Sequence, residues 1–334
     1  MPENRSPETN ASDRPAGDPV RRQRYARSSP PAACLSLTPT RVEILCYLAE
    51  LRFLSLPQIA RLCCPSGRRD LAEKSARRHM RALFDGGLVD VLPVSRAALA
   101  PPGTPNDASL LYGSAPNVYA LAARGLEMLY RAGLTDKPDA MRKKPAYGPR
   151  NSLFLAHELA VRDVRVWLQE GARSSRDDHE VLHWADGAQA AIGLPSRSRL
   201  LPDAWFVYQV EKGEPPTVLV AFVEVDRGTE RGERRWDEKL AAYASLLADR
   251  EALTAATGYL NARVLVLTPD ARRRDELALL LVRCARRRDL APQVLDRFWL
   301  AGDVAQAQMD FTAAVWRRPG GVLWPLTPVR RSVG

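Results

Sequence analysis

LPDAWFVYQVEKGEPPTVLVAFVEVDRGTERGERRWDEKLAAY, residues 201–243, joins two strand-length apolar runs to a helix and sets carboxylates where they meet. Asp203 to Val210 reads as one strand, entered through Leu201-Pro202, and Thr217 to Asp226 as the next. Gly213 to Pro216 supply turn chemistry between them, so the spacing predicts an antiparallel hairpin. Side chains two apart on a strand point to one face, so Glu224 and Asp226 share a face. Asp203 opens the partner strand, and the expectation is that all three carboxylates converge at one end of the hairpin. Burying them in an apolar run is costly unless cations pair with them or a metal holds them. A helix over about 230–247 follows, with Trp236, Leu240, Tyr243, Ala244 and Leu247 on its packing stripe. Lys239 and Arg235 lie at the margin of that stripe and can lean back toward the carboxylates.

Working outward, a helix over 152–169 precedes the hairpin, with Leu153, Ala156, Ala160, Val164 and Trp167 as its buried stripe. His157 projects into that stripe and is a candidate supporting residue, while Glu158 points away. After the hairpin come a strand at 263–268, a helix at 270–288 and a strand at 297–300 read as the last of the sheet. Helices alternating with strands in this way predict an α/β (α+β) fold.

Upstream, the pattern changes to helices. Thr38 or Thr40 caps a first helix, with Pro39 suited to its first turn. Leu56–Leu62 is a second helix, and Leu71–Asp85 a third, stopped by Gly86-Gly87. Runs at 88–92 and 118–121 form a hairpin across a long Pro/Gly loop at 95–116, and a helix over 122–132 follows. Three helices and a hairpin are the order of a winged helix-turn-helix. The third helix carries Ala72, Ala76, Met80, Leu83 and Phe84 on one side and Lys74, Arg77, Arg78 and Arg81 on the other. A helix with an apolar stripe and a basic stripe can dock on a core and face a phosphate backbone. Arg68 and Arg69, just before it, add two further candidate phosphate contacts.

The boundaries that follow are a basic arm over 1–35, a winged helix-turn-helix over 36–134, a linker over 135–150, an α/β domain over 151–305 and a tail over 306–334. The chain has 334 residues with 49 Lys+Arg against 39 Asp+Glu, a net charge of +10. Residues 1–150 hold 23 Lys+Arg against 14 Asp+Glu, so nearly all the excess lies there. That asymmetry suits a polyanionic partner, although charge alone suits solubility as well. No apolar run approaches the ~18 residues of a membrane span, and the N-terminus lacks the apolar core of a secretory signal. Five cysteines, with Cys63 and Cys64 adjacent and no CxxC pair, argue against a disulfide framework or structural zinc and fit a cytoplasmic protein. Four histidines, His79, His157, His179 and His183, lack the three-histidine spacing that a tyrosine relaxase would need beside Tyr25, Tyr243 or Tyr259. His179 and His183 read as lying in a loop that enters a strand.

The run Leu201-Pro-Asp203, Phe222-Val-Glu224-Val-Asp226-Arg-Gly-Thr229 and Lys239-Leu-Ala-Ala-Tyr243 resembles the replication-relaxation family of plasmid and mobile-element proteins. Tyr119-Ala-Leu, Gly125 and His157 fit the same pattern, and the resemblance covers about residues 38–300. It implies a protein that binds double-stranded DNA in plasmid replication and relaxation, as a homodimer or with a replication or mobilisation partner. The same residues resemble more distantly the PD-(D/E)xK nucleases, with Pro202-Asp203 as the first element and Glu224 as the second. Asp226 stands where the lysine of that pattern belongs, and Lys239 is the residue that would replace it. Three readings stay open. The first is a DNA-binding replication protein with a nuclease-like domain. The second is an endonuclease in which Asp203 and Glu224 hold Mg²⁺ or Mn²⁺ and Asp226 and Lys239 complete the catalytic set. The third is a winged-helix transcription regulator.

Overall fold

Thr38 caps the first helix, α1 (Pro39–Leu51), its hydroxyl accepting from the Arg41 N–H at 3.4 Å, and Pro39 fills the first turn. The computed structural model describes residues 35–92, 94, 99, 115–136, 152–174, 179–194, 199–211, 216–228, 232–302, 311, 315–324 and 326. The basic arm, most of the 95–116 loop, nearly all of the 135–150 linker and the hairpin turn after residue 211 lie outside these residues.

Strand β1 (Phe53–Ser55), which the sequence pattern did not single out, leads into α2 (Leu56–Cys63). Ser55 and Gln58 form a reciprocal capping box there, which stops the strand and starts the helix. α3 (Arg69–Asp85) follows and ends where Gly87 takes φ +71, a left-handed conformation that glycine adopts freely. β2 (Val89–Leu92) and β3 (Val118–Leu121) pair antiparallel as expected, and β1 joins them to give the order β1-β3-β2. α4 (Ala123–Arg131) closes this part; a side chain at Gly125 would collide with the Leu88 carbonyl, so the helix needs glycine to sit this close. Ile44, Leu45, Leu48, Ile59, Leu62, Ala76, Met80 and Leu83 form its core.

α5 (Ser152–Ser174) runs five residues beyond its predicted end. β4 (Glu180–Asp186) then forms a strand, so His183 lies within it and not in a loop. The short pair β5 (Ile192–Gly193) and β6 (Arg199–Leu200) precedes β7 (Ala204–Glu211) and β8 (Thr217–Val225). β7 and β8 are the expected antiparallel hairpin, with Ala204 opposite Val223. α6 (Glu233–Ala248), α7 (Arg250–Thr257), β9 (Arg263–Thr268), α8 (Ala271–Arg287), α9 (Pro292–Leu295) and β10 (Phe298–Gly302) complete the expected alternation, α7 being an addition to it.

β10 is not the last strand. β11 (Trp316–Arg317) and β12 (Leu323–Trp324) extend the sheet, giving the order β12-β11-β10-β9-β8-β7-β4. Part of the expected 306–334 tail is therefore structural: Phe311, Trp316 and Leu326 are buried, and Trp316 stacks on Trp167 of α5 with ring centres 5.8 Å apart. Two-residue strands carry too little periodicity to show in a sequence. β8, β9 and β10 are parallel while both flanks are antiparallel, so the sheet is mixed and the α/β reading holds. α6 and α8 cover one face, packing Trp236, Leu240, Leu277 and Leu281 on Phe222, Val264 and Leu300. α5, Phe311 and Leu326 cover the other.

α5 is more deeply buried than one stripe allows, because the first part of the chain packs on its second side. Arg162, only 1% exposed, donates to the Leu51 carbonyl at 2.7 Å and lies 4.0 Å over the Phe53 ring. Gln58 donates to the Leu159 carbonyl at 2.8 Å, Arg61 binds Glu170, and Arg165 meets Glu50 at 3.0 Å. Glu158, expected to point away from the core, instead faces Arg52 across this seam and Arg162 one turn along its own helix.

Candidate functional site

β8 alternates Val220, Phe222 and Glu224 toward the α6–α8 layer with Leu219, Ala221 and Val223 toward α5. Glu224 thus ends an apolar stripe, with no exposed surface. α6 brings two partners to it from adjacent turns. Lys239 donates to Oε2 at 2.5 Å, and Tyr243 donates its hydroxyl to Oε1 at 2.7 Å. Burial pushes the Glu224 carboxyl up to about 7 against the pull of Lys239. Burial works to lower Lys239, but Glu224 and Asp203 together raise it. Tyr243 keeps its proton, since burial and then the Glu224 charge lift it well above the ordinary phenol range.

Asp203 sits where β7 begins. Its Oδ2 accepts from the Val225 N–H at 2.7 Å, so the side chain continues the β7–β8 ladder by one rung. Its Oδ1 lies 3.0 Å from Nε2 of His157 on α5. Burial opposes ionisation, yet the His157 bond and charge, then Lys239, then the Val225 N–H hold Asp203 below the usual carboxylate range. For His157, burial lowers the value and Asp203 more than restores it, leaving the imidazole raised.

Asp226 does not join the other two carboxylates on α6. Arg273 of α8 grips its Oδ2 with Nε at 3.1 Å and Nη2 at 2.7 Å, and the Gly228 N–H donates to Oδ1 at 2.6 Å. This corrects the expectation of a single three-carboxylate cluster. Asp226 does lie on the Glu224 side, but a different helix takes it. Arg273 went unrecognised because it lies 47 positions away among three consecutive arginines, and nothing local distinguishes it from its neighbours. Tyr243 read as core, which it is, yet its position one turn after Lys239 is the signal that both reach one carboxylate. Arg235 is exposed one turn before Lys239, close enough for its charge to act on that ammonium.

The donor set can be tested against Mg²⁺ or Mn²⁺. Such ions take one or two carboxylates plus waters. Here each oxygen of Asp203 and Glu224 already has a protein partner, and three of the four partners are N–H or O–H donors that a cation must displace. Asp226 is committed to Arg273. Among the described residues no group of three or more His, Cys, Asp or Glu is disposed to hold a metal. This arrangement does not fit a resident divalent ion. Its chemistry is that of a proton-sharing, charge-paired clasp that ties β7 and β8 to α5 and α6.

The second group of predicted residues lies on α3. Lys74, Arg77, Arg78 and Arg81 are all exposed, opposite buried Ala72, Ala76, Met80 and Leu83. Arg81 pairs with Asp85 at 2.8 Å, Arg68 with Asp70 at 2.7 Å and Arg69 with Glu73 at 3.4 Å, so the stripe is not acid-free at its ends. Among the described residues no carboxylate pairs with Lys74, Arg77 or Arg78. His79 beside them is lowered by burial and then by the positive charges of Arg41 and Arg78, as expected in a positive local field.

No helix among the described residues is long and apolar enough to cross a membrane. The family model described as Replication-relaxation matches residues 45–261, which run from within α1 to just past α7 and include the predicted residues of both groups. No curated protein and no solved structure matches the chain. With well over half of its length matched, the chain belongs to the replication-relaxation family.

Proposed function

We propose that this member of the replication-relaxation family binds duplex DNA in a plasmid or mobile-element replication system, with α3 as the helix that meets the DNA. The observation that carries this reading is the exposed triad Lys74, Arg77 and Arg78, which no carboxylate among the described residues pairs, on a helix whose other side is core. The surrounding elements support it. Three helices and an antiparallel sheet in the order β1-β3-β2 are the parts of a winged helix-turn-helix, in which a recognition helix enters the major groove. The β2–β3 hairpin is then the wing. Changing Arg77 and Arg78 to Ala tests the reading. Duplex affinity falls, and the salt dependence flattens by about one unit of slope per lost phosphate contact. An unchanged slope in a folded double variant refutes the assignment of α3.

DNA cleavage at the Glu224 cluster is the second reading, and one observation favours it. Lys239, supplied from the helix, reaches the carboxylate that a nuclease lysine would accompany. Supercoiled plasmid incubated with Mg²⁺ or Mn²⁺, with wild type and with Asp203→Ala, separates the two. Nicking by wild type that is lost in the variant establishes cleavage, while intact plasmid in both leaves the cluster as a structural clasp.

A further inference from the structure

A second set of cations, far along the sequence from α3, gathers round one indole. Arg263 opens β9, and its guanidinium lies 4.7 Å from the centre of the Trp299 ring on β10. Arg318, just past β11, lies 5.7 Å from the same ring. Sheet register explains the meeting. Phe298 pairs with Val264, and the Val264 N–H donates to the Arg297 carbonyl at 2.8 Å, so Arg297 sits beside Arg263. Leu300 pairs with Arg317 on the other flank, which brings Arg318 alongside Trp299. Strand alternation puts Arg263, Arg297, Trp299 and Arg318 on the face shared with Leu265 and Trp316. The Trp299 N–H donates to the Asp296 carbonyl at 3.1 Å, which fixes the ring.

Among the described residues, few groups compensate this charge. Arg318 meets Asp296 at 3.2 Å, a pair whose carboxylate is 61% exposed. Arg297 donates to the neutral Asn261 side chain at 3.2 Å. The Arg263 side chain has no hydrogen bond or ion pair among the described residues, and its Nη1 is buried without a hydrogen-bond partner. An unsatisfied buried donor is destabilising, so the site is short of an acceptor. Burial and then the charges of Arg297 and Arg318 hold Arg263 below the usual guanidinium range.

We propose that Arg263, Arg297 and Arg318 form an anion site for a phosphate group, held against Trp299 at the β9–β10–β11 edge and separate from α3. Planar guanidinium forks match phosphate oxygens two at a time, and three of them neutralise a charge that one would leave in excess. The phosphate comes either from a nucleic-acid backbone or from a free phosphate ion, and the two sources give different results.

Thermal unfolding of the full chain is measured with inorganic phosphate against sodium chloride at matched ionic strength. Binding of a short duplex is measured in parallel. Phosphate raises the melting temperature of wild type through preferential binding to the native state. The increase is lost in Arg263→Gln and reduced in Arg297→Gln, whose exposed side chain is the safer change should the first variant fail to fold. If duplex affinity also drops and the salt slope falls by about one unit per lost contact, the backbone is the source. If duplex binding is unchanged, the source is a free phosphate. Arg77→Ala/Arg78→Ala retains the phosphate response, so failure of the α3 reading is distinguishable from failure of this one. No increase in wild type, or an equal increase in both Arg263→Gln and Arg297→Gln, overturns the site.

Discussion

Helix α3 and the α6–α8 layer are both rich in cations, and they use them in opposite ways. In the layer, Lys239 is held by Glu224, Arg273 by Asp226, and Arg287 by Glu233 and Asp237, so charge is spent on tying helices to the sheet and to each other. On α3, Lys74, Arg77 and Arg78 face solvent with no carboxylate among the described residues to receive them. α3 and α8 are each 17 residues long and contain four and six arginines, so composition does not separate them. Position does. A cation at the end of an apolar strand finds a buried acid, while one opposite a helix's packing stripe finds water and remains available to a ligand.

The largest effect that would break this contrast is at Arg273. Arg273→Met leaves Asp226, 5% exposed, without its guanidinium, and removing one partner of a buried pair costs about 3–5 kcal/mol. Denaturant unfolding checks it, and a loss below about 1 kcal/mol would place the pair with ordinary surface bridges. Lys239→Met comes next and depends on pH. The raised Glu224 value means the folded state holds a proton there up to about pH 7, so stability from that proton is present at low pH and lost as pH rises through the folded value. Without Lys239, ionising Glu224 costs more, and the gap between variant and wild type widens from pH 5 to pH 8 by up to about 1.4 kcal/mol for each pH unit above 7. A gap that narrows over that range would show that Lys239 is not the counter-charge.

The hairpin and the clasp show what the sequence made legible. Asp203, Glu224 and Lys239 were readable because strand alternation and helix periodicity fix which way a side chain points within one continuous stretch. His157 was readable as a residue on a packing face, though not its partner, because Asp203 approaches through the fold rather than along the chain. Arg273 was not readable at all, and neither were β11, held by β10 and by Trp167, and β12, held by β11, two residues each with no pattern of their own. The second buried side of α5 was missed for the same reason. Arg162 and Arg165 look like a solvent face until Leu51, Phe53 and Glu50 arrive.

Smaller effects sharpen the contrast from the other side. Arg77→Ala with Arg78→Ala changes stability by no more than about 0.5 kcal/mol, because exposed side chains away from packing features rarely do more, while duplex binding falls. Thermal melts and binding titrations on one preparation check both halves, and a marked loss of stability would mean these arginines are structural. Smallest is Arg272→Ala, which removes an exposed bridge to Glu276 and costs about 0.3–0.5 kcal/mol. Raising the salt concentration should erase even that difference in a melt.

The double grip on α5 has a mechanical consequence. A helix of 23 residues, at about 1.5 Å each, is a rod of roughly 34 Å. Gln58, Arg61 and Phe53 hold it along one flank, and Phe206 and Trp316 along the other. Held on both flanks, the rod ties the β1-β3-β2 part of the chain to the seven-stranded sheet. His157, near one end of it, is fixed by Asp203. If duplex DNA bound at α3 displaces the rod, the His157 titration followed by NMR changes. A titration curve identical with and without DNA would mean that the rod stays where it is.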